Sequence, residues 1–516
     1  MEGNTKAQLP DNVEELKGII VSLQKTIGIL EEKVKYFQGM VFGRKSEKFS
    51  EEDQGQGRLF NEAEVGVEEA ADQEAVEAET AEVPAHRRRK RGRKPIPPEL
   101  PRVEIIHDLT EEQKACGCGA TLSRIGEEIS EQLDIIPAQI QVLKHIRYKY
   151  ACKACEGIGT EGGAVKIASA PELIIPKGIG SAGLIAHAIT SKFVDAVPFY
   201  RQENIFKRIG VEIPRATMCG WAIQVADRSE GLLELMRQNL IAGPYVQIDE
   251  TGVQVLREPG RANTSRSYMW VYRGGDLDRP TVIFEYSRTR SGEVPLEYLQ
   301  GYQGYIQTDG YTAYDELGRQ PGIVHLGCWA HGRRGFSDLA KQTKKAGSAQ
   351  RALAFIGKLY AVEKRAEGLS VEEIGELRQR EAGPVLKRFK EWLGKKREQT
   401  PPKGMLGKAV AYTLGQWERL EIYTQDGILK IDNNSCENEI RPFVVGRNNW
   451  LFSGHPRGAE ASAALYSLVQ TARANGLDPY YYLRYLFEHL PKAKTEEDLK
   501  GLLVQNLSAE QLLAPG

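Results

Sequence analysis

Residues 245–256 read Tyr-Val-Gln-Ile-Asp-Glu-Thr-Gly-Val-Gln-Val-Leu, and this stretch decides the fold. Its β-branched and aromatic residues, short apolar runs and closing turn signals are typical of a buried strand. Asp249 lies at the end of an apolar run, where a lone acid is not expected in a core. Similar β-rich runs, broken by Gly, Pro and Arg, cover Tyr245–Asp249, Thr251–Leu256, Ser267–Tyr272 and Thr281–Tyr286.

The segments that follow predict the rest of a sheet. A helical piece at Pro295–Gln300 precedes a strand at Tyr305–Thr308, and Gly322–Gly327 is predicted as a further strand. Three adjacent strands, a helix, then strand, helix and strand is the order of a ribonuclease-H-like α/β sheet. That fold places one acid on its first strand and another at the end of its fourth, and Asp249 and Asp309 occupy these places.

A third acid is expected from a later helix, and Glu437 in the segment 431–442 is the candidate. Asp432 or Asn434 is predicted to cap the helix that presents Glu437 on its first turn. Three converging carboxylates suit two Mg²⁺ or Mn²⁺ ions, one activating the attacking hydroxyl and one steadying the leaving oxygen. Each acid alone is typical of a solvated surface, but the three at these elements predict a catalytic site.

Residues 1–48 are predicted to form a coiled-coil dimerisation segment. Apolar residues are spaced alternately by three and four, with β-branched residues at one position and mainly Leu at the other, which favours a parallel dimer. The seam consists of Val13, Leu16, Ile20, Leu23, Ile27, Leu30, Val34 and Phe37. An amphipathic helix packed on its own chain remains the alternative.

Residues 49–95 are predicted to be a disordered linker, first acidic and then basic. Residues 61–85 carry nine acidic residues and no Lys or Arg, so this stretch cannot bury enough surface to fold. The following basic run could neutralise phosphates in a minor groove, or it could be a solvated linker. Its candidate DNA contacts are Arg89, Arg91, Arg93 and Lys94.

Residues 96–165 are predicted to be a zinc-ribbon-like module. Four thiolates in two tight pairs suit a tetrahedral structural Zn²⁺, whereas unrelated buried or free Cys is the alternative. The four are Cys116, Cys118, Cys152 and Cys155. Between the pairs, residues 139–150 alternate apolar and polar residues like a strand. The isolated Cys219, Cys328 and Cys436 are predicted to be small core residues.

Residues 175–240 are predicted to be a helical DNA-binding region. One helix is expected to end at Gly210 and a second to begin near Pro214, which is the pattern of a helix-turn-helix. Arg215, Thr217 and Met218 at the start of the second helix are the candidate base contacts. A plain helical hairpin explains the pattern equally well.

The composition of the whole chain excludes some classes of protein. The 516 residues carry a net charge of −1, and no apolar run approaches the ~18 residues of a membrane span. The polar N-terminus has no signal-peptide pattern, and seven Cys fit a reducing cytosol. We therefore expect a cytoplasmic protein with no membrane partner.

The motifs together resemble the DDE transposases of the insertion-sequence 66 type over nearly the whole chain. The matching motifs are Phe42–Lys48, Gly92–Pro95, Pro198–Glu203, Asp249–Thr251, Asp309–Tyr311, Cys328–Arg334, Asp432–Pro442, Asn449–Phe452 and Ala472–Pro479. The tight Cys116-x-Cys118 pair departs from the C-x-x-C that this family predicts.

The resemblance implies Asp249, Asp309 and Glu437 as the catalytic triad. It implies a ribonuclease-H-like core in two parts, 244–334 and 426–478, separated by a helical insertion at 335–425. Residues 479–516 would form a C-terminal helical tail. Cys328 and His331 would support the site, and further candidate phosphate contacts are Arg333, Arg334, Arg441, Arg447 and Lys430.

The implied function is DNA transposition, by a bacterial protein associated with the nucleoid. The protein would bind the inverted repeats of its element, cleave at the ends and join the free 3′-hydroxyl to target DNA, as a homodimer or larger assembly. Accessory proteins of the same element are possible partners. The alternatives are a non-catalytic protein that only occupies the repeats, and a nuclease that cuts without joining.

Overall fold

The computed structural model describes residues 139–151, 165–342 and 347–513, residue 104, and residues 12–14, 16–20, 23, 27 and 30. The chain divides into two compact units, one of residues 1–46 and 143–516 and one of residues 47–142. Of the second unit only 104 and 139–142 are described, so the fold below is that of the first. The predicted zinc ligands and the DNA contacts of the basic run lie outside the described residues.

The first two strands form a small antiparallel pair, β1 (Lys149–Ala151) with β2 (Val165–Ile167). The strand predicted over residues 139–150 is therefore wrong for most of its length, because residues 139–148 are not in a strand. Their side chains are exposed, and an alternating pattern specifies a strand only where one of its faces is buried.

The main sheet has five strands, and its first three are consecutive and antiparallel. The strands are β3 (Tyr245–Gln254), β4 (Arg266–Gly275), β5 (Pro280–Ser287), β6 (Gly304–Gln307) and β7 (Ile323–Leu326). Their order is β5-β4-β3-β6-β7, with β3, β6 and β7 parallel to one another. The two runs predicted at 245–256 form one continuous strand in the middle of the sheet, paired on both sides.

The helices lie between and after these strands. They are α1 (Ala182–Phe193), α2 (Phe199–Arg208), α3 (Arg215–Arg228), α4 (Glu230–Ala242), α5 (Glu293–Tyr298), α6 (Trp329–Gln342), α7 (Ser348–Arg365), α8 (Val371–Leu377), α9 (Gly383–Gln399), α10 (Met405–Gly415), α11 (Trp417–Glu421), α12 (Asn434–Trp450), α13 (Pro456–Ala474), α14 (Pro479–His489), α15 (Glu496–Lys500) and α16 (Ala509–Leu513).

Helix α13 covers the open edge of β5. The backbone N–H of Val282 donates to Thr471 Oγ1 at 3.0 Å, and that of Phe284 donates to Ser467 Oγ at 2.8 Å. The Thr471 hydroxyl donates back to the Val282 carbonyl at 2.9 Å. These side chains satisfy edge groups that would otherwise be open to pairing with another strand.

Helices α6–α11 connect β7 to α12 and share one core with the β6–β7 side of the sheet. A buried Arg378 joins three parts of this region. Its Nε and Nη2 bind the Glu363 carboxylate at 2.9 and 2.6 Å, and its Nη1 and Nη2 donate to the carbonyls of Tyr423, Asp426 and Leu429. Arg378 begins a π-helical turn that ends at Ala382.

The helical pair α2–α3 has the predicted turn. Gly210 has φ +87°, a conformation that favours glycine, and α3 begins directly after Pro214. Arg215 is exposed and Thr217 is half-buried. Met218, predicted as a base contact, is 0% exposed, so that prediction is wrong: the side chain packs in the core at the first inward position of α3.

The N-terminal segment is helical at its described positions from 13 to 30. The seam residues Val13, Ile20, Leu23, Ile27 and Leu30 are 53–63% exposed. Among the helices that the structure describes, none is long and apolar enough to cross a membrane.

Candidate active site

Asp249 lies on the central strand β3, and Asp309 lies just beyond the end of the adjacent parallel strand β6. Burial raises the pKa of Asp249 well above its usual range, and the nearby carboxylates of Glu250, Glu437 and Asp309 raise it further. The structure therefore brings the three predicted acids into one electrostatic cluster, with Glu250 as a fourth.

Within the described part of the chain, the buried Oδ2 of Asp249 has no hydrogen-bond partner. Its Oδ1 accepts from the Glu250 N–H at 2.9 Å. Asp309 Oδ1 accepts from the Tyr311 N–H at 2.8 Å, while burial raises the pKa of Asp309. Hard carboxylate oxygens that are buried with unused acceptor capacity suit a Mg²⁺ or Mn²⁺ ion.

Glu437 lies in the first turn of α12, as predicted, but neither Asp432 nor Asn434 is the N-cap residue. The N-cap residue is Asn433, and its side chain donates to the Ile248 carbonyl on β3 at 2.9 Å instead of capping the helix. Asp432 accepts from the Asn434 N–H at 3.2 Å and from the Tyr360 hydroxyl at 2.8 Å. The start of α12 is thus fixed by contacts to β3 and α7.

Cys328 and His331 contact the start of α12, where Glu437 lies. Cys328 Sγ accepts from the Asn433 N–H at 3.2 Å, and His331 Nδ1 is 3.7 Å from Glu437 Oε1. Burial, with Arg334 3.0 Å from Nε2, lowers the pKa of His331 to about 3, so the ring is neutral at pH 7. Both residues contact the segment that presents the third acid.

One ligand atom from each of Cys328, His331 and Glu437 lies within 4.8 Å of the other two, a spacing that could hold one ion. Within the described residues, Asp249, Asp309 and Glu437 do not form a group of this kind, with ligand atoms all within 4.8 Å of one another.

Glu250 and its partners are absent from the sequence-based site. Its side chain accepts from Arg290 Nε at 2.6 Å and from the Tyr314 hydroxyl. The Arg290 guanidinium lies 3.9 Å from the centre of the Tyr311 ring, and the Tyr311 N–H binds Asp309. Glu250 therefore stabilises the loop of Asp309 indirectly, through Arg290 and Tyr311. In the sequence, only its position next to Asp249 indicated a role for Glu250.

Glu250→Gln is expected to reduce activity by weakening this support. Losing a partner behind a metal ligand typically costs 10–100-fold in metal affinity or activity. If Asp309 binds a metal ion that the cleavage of DNA requires, as the sequence predicts, cleavage at limiting Mn²⁺ should fall by about that factor. Raising the Mn²⁺ concentration should restore much of it. The exposed Glu293→Gln is the matched control. An unchanged Mn²⁺ requirement in Glu250→Gln would contradict this role.

Helix α10 also reaches the site. The Tyr412 hydroxyl lies against Gly310, where a Cβ would come within 2.5 Å of it. Burial and then the nearby Asp309 raise the pKa of Tyr412 to about 12. A glycine after Asp309 thus makes room for a side chain from the α6–α11 region, a contact that no local pattern could predict.

The other predicted site residues differ in accessibility. Arg333, Arg334 and Arg441 are partly exposed and Lys430 is exposed. Arg447 is buried and donates to Thr251 Oγ1 at 3.2 Å, so its prediction as a phosphate contact is wrong. Cys328 and Cys436 are buried as predicted, whereas Cys219 is exposed near the start of α3, so its prediction as a core residue is wrong.

A mixed sheet that gathers acidic side chains from its central strand, a neighbouring strand and a later helix is typical of metal-dependent enzymes that act on phosphodiesters. The family comparison identifies the class more closely. The chain belongs to the transposase IS66 family, whose model matches residues 177–461. The IS66 C-terminal element matches residues 467–503.

Two further family models match the N-terminal part. Residues 29–105 match the model described as transposase C of IS166 homeodomain, and residues 113–156 match the zinc-finger binding domain of transposase IS66. The latter range contains all four predicted zinc ligands.

Three proteins of Sinorhizobium fredii are similar along most of their length. Uncharacterized protein y4jD is 32% identical and the match covers 98% of each chain. Uncharacterized protein y4qI is 29% identical over 97% of this chain and 93% of its own, and y4hP is 28% identical over 88% and 84%.

Proposed function

We propose that the protein binds the terminal inverted repeats of its insertion sequence, hydrolyses the phosphodiester at each end and transfers the free 3′-hydroxyl into target DNA. The observation that carries this proposal is the convergence of three half-buried acids, Asp249 on β3, Asp309 just beyond β6 and Glu437 in the first turn of α12. Glu437 and Asp309 lie close enough to Asp249 to raise its pKa. The strand order, with three antiparallel strands followed by two parallel ones, supports a ribonuclease-H-like core.

The carboxylates of Asp249, Asp309 and Glu437 would hold two Mg²⁺ or Mn²⁺ ions, which supply an activated nucleophile and neutralise charge on the phosphodiester. The chain's own groups keep these carboxylates in place. Glu250 and Arg290 support the Asp309 loop, and Asn433 pins the start of α12 to β3. Neutral His331 faces Glu437 without adding charge.

The remaining segments would find the DNA. A structural Zn²⁺ on Cys116, Cys118, Cys152 and Cys155 would order the module that the zinc-finger model matches. Arg215 and Thr217 at the exposed start of α3, with the basic run at 87–95, would contact the repeats, and Arg333, Arg334 and Arg441 would contact phosphates near the site.

The test uses the full-length protein and a labelled duplex that carries the repeats from the flanks of its gene. Mn²⁺-dependent nicking at the repeat boundary, followed by joined products with a target plasmid, is the expected result. Nicking without joined products would leave a nuclease. Specific binding without nicking, also after adding the products of neighbouring genes, would leave a protein that only occupies the repeats.

We also propose that the N-terminal helix pairs two copies of the chain, so that two ends are cut together. The exposure of five described seam residues supports this pairing, because apolar residues at the heptad spacing are otherwise left in water.

Leu23→Glu is expected to convert the dimer to a monomer, which light scattering coupled to size exclusion can measure. Each dimer loses two buried leucines at ~2 kcal/mol each, so the dissociation constant should rise by about a thousandfold. Gly18→Glu is the matched control, since Gly18 is outside the seam and a side chain there meets nothing within 4 Å. Equal masses for Leu23→Glu and the parent protein would contradict the pairing.

A further inference from the structure

The chain after α12 forms a strained turn that projects two apolar side chains. The Phe452 N–H donates to the Trp450 carbonyl at 2.9 Å, across Leu451 at φ 68° and ψ −52°. This is a γ-turn of the rare positive-φ form, which is strained for a residue with a side chain. Leu451 is 64% exposed and Phe452 is 44% exposed.

The turn is held from both sides. The Leu451 N–H donates to the Arg447 carbonyl at 2.6 Å, and the Trp450 ring packs 5.5 Å from the Phe443 ring. On the other side, Ser453 bridges to the end of β3: its N–H donates to the Gln254 carbonyl, and its carbonyl accepts from the Leu256 N–H at 2.8 Å. The tip is therefore a rigid projection of the folded unit.

Stability does not explain this arrangement. The side chain of Leu451 buries little surface, and glycine would adopt the same backbone conformation without strain. Strain retained at an exposed tip is typical of a site whose contact is made in a complex.

The surroundings of the tip carry positive charge. Exposed Arg201 lies 3.4 Å from Asn449, and exposed Arg257 follows Leu256, which binds Ser453. Exposed Arg266 lies opposite Gln254 on the adjacent strand. Glu258, the acid next to Arg257, is buried and bound by Arg261, Ser267 and Tyr286. A ligand that matches an apolar tip with three arginines around it is a polyanion with an apolar interior.

The tip also has a fixed relation to the candidate active site. Leu451 follows Glu437 by fourteen residues on and just beyond α12, which at ~1.5 Å per residue is about 20 Å. That length equals about six base-pair steps of ~3.4 Å.

We propose that Leu451 and Phe452 form a wedge that inserts at a base step of duplex DNA, about six base pairs from the cleaved bond, and unstacks it. Apolar side chains that enter a base step in this way bend the duplex, and arginines beside them bind its phosphates. The inference depends on the proposed function, since it requires that the duplex lie across the carboxylates.

The experiment uses the full-length protein and end duplexes that carry 2-aminopurine at successive positions, three to ten pairs from the cleaved bond. Without divalent metal ion, the parent protein should raise the fluorescence at one or two positions near the sixth pair. Phe452→Ala and Leu451→Gly should lose that rise, whereas Leu277→Ala, at an exposed leucine in the β4–β5 turn, should keep it.

Cleavage distinguishes a wedge from a structural role. With Mn²⁺, Phe452→Ala should cleave the paired duplex about tenfold more slowly or worse, since the variant no longer offsets the cost of unstacking one base step. A mismatch placed at the unstacked position should restore most of that loss. A merely misfolded variant would gain nothing from the mismatch.

Other outcomes overturn the inference. Cleavage by the parent protein with no fluorescence rise at any position would exclude the wedge and leave the proposed function intact. A changed molecular mass in Phe452→Ala, with the fluorescence rise retained, would make the tip a protein contact. A parent protein that neither binds nor cleaves the end duplex would overturn the proposed function, and the wedge with it.

Discussion

Asp249→Asn is expected to reduce cleavage of the end duplex by about a thousandfold or more, without changing the affinity for the duplex. The amide removes one negative charge and one ligand oxygen from the site that would hold the metal ions, and this form of charge stabilisation supplies several kcal/mol. Single-turnover cleavage with Mn²⁺ and binding without metal measure the two effects separately.

The same substitution is expected to stabilise the metal-free protein. Burial and three neighbouring carboxylates raise the pKa of Asp249, so ionising this group in the folded state is unfavourable. When the pKa of a carboxyl is higher in the folded state than in the unfolded state, the free energy of unfolding decreases as the pH rises above the ordinary aspartate pKa of about 3.9. The melting temperature of Asp249→Asn should therefore exceed that of the parent protein by an amount that grows from pH 4 towards pH 8.

Asp276→Asn, at an exposed turn, is the control for both readouts and should change neither. Two results would contradict the assignment of Asp249: cleavage by Asp249→Asn within about threefold of the parent rate, or a lower melting temperature at pH 8. A loss of cleavage together with a loss of stability would indicate a structural residue.

The sheet could be predicted because its signal is local. In β3 and β5, β-branched and aromatic residues fill several consecutive positions that are buried in the structure, and Gly, Pro or Arg lies between the strands. The acids stood out because Asp249 and Asp309 interrupt or end such runs. The alternation at 139–150 looked similar but had no buried face to select a strand, so the same rule failed there.

The support of the site could not be predicted because its contacts join residues far apart in sequence. Glu250 meets Tyr314 across 64 residues, and Asn433 meets Ile248 across 185. Asn433 is a good capping residue by type, yet its side chain donates to the β3 carbonyl and makes no hydrogen bond to the end of α12. Met218 is buried for a related reason. The packing of α3 against the rest of the protein determines which face of the helix is exposed.

Arg378→Ala is expected to destabilise the α6–α11 region by about 3–5 kcal/mol, which is the cost of removing one partner from a buried ion pair. Glu363 would keep its charge without its partner, and three backbone carbonyls would lose a donor. Urea unfolding followed by tryptophan fluorescence measures the loss, since Trp329, Trp392 and Trp417 lie in this core.

A second variant separates the ion pair from the carbonyl contacts. Arg378→Met combined with Glu363→Leu removes both charges and fills the space. This double variant should therefore recover the part of the lost stability that is due to the unpaired Glu363 carboxylate. The carbonyls of Tyr423, Asp426 and Leu429 would still lack the Arg378 donor, so part of the loss in stability should remain. The exposed Arg388→Ala is the control and should lie within about 0.5 kcal/mol of the parent protein.

The position of Arg378 makes this result informative about function as well as stability. The region that it holds together places Tyr412 against the loop of Asp309 and Tyr360 against Asp432 at the start of α12. If the region serves only as a cover, Arg378→Ala should cleave normally at temperatures where it is folded. If it positions the carboxylates, cleavage should fall at those temperatures too, and the double variant should recover it in proportion to the regained stability.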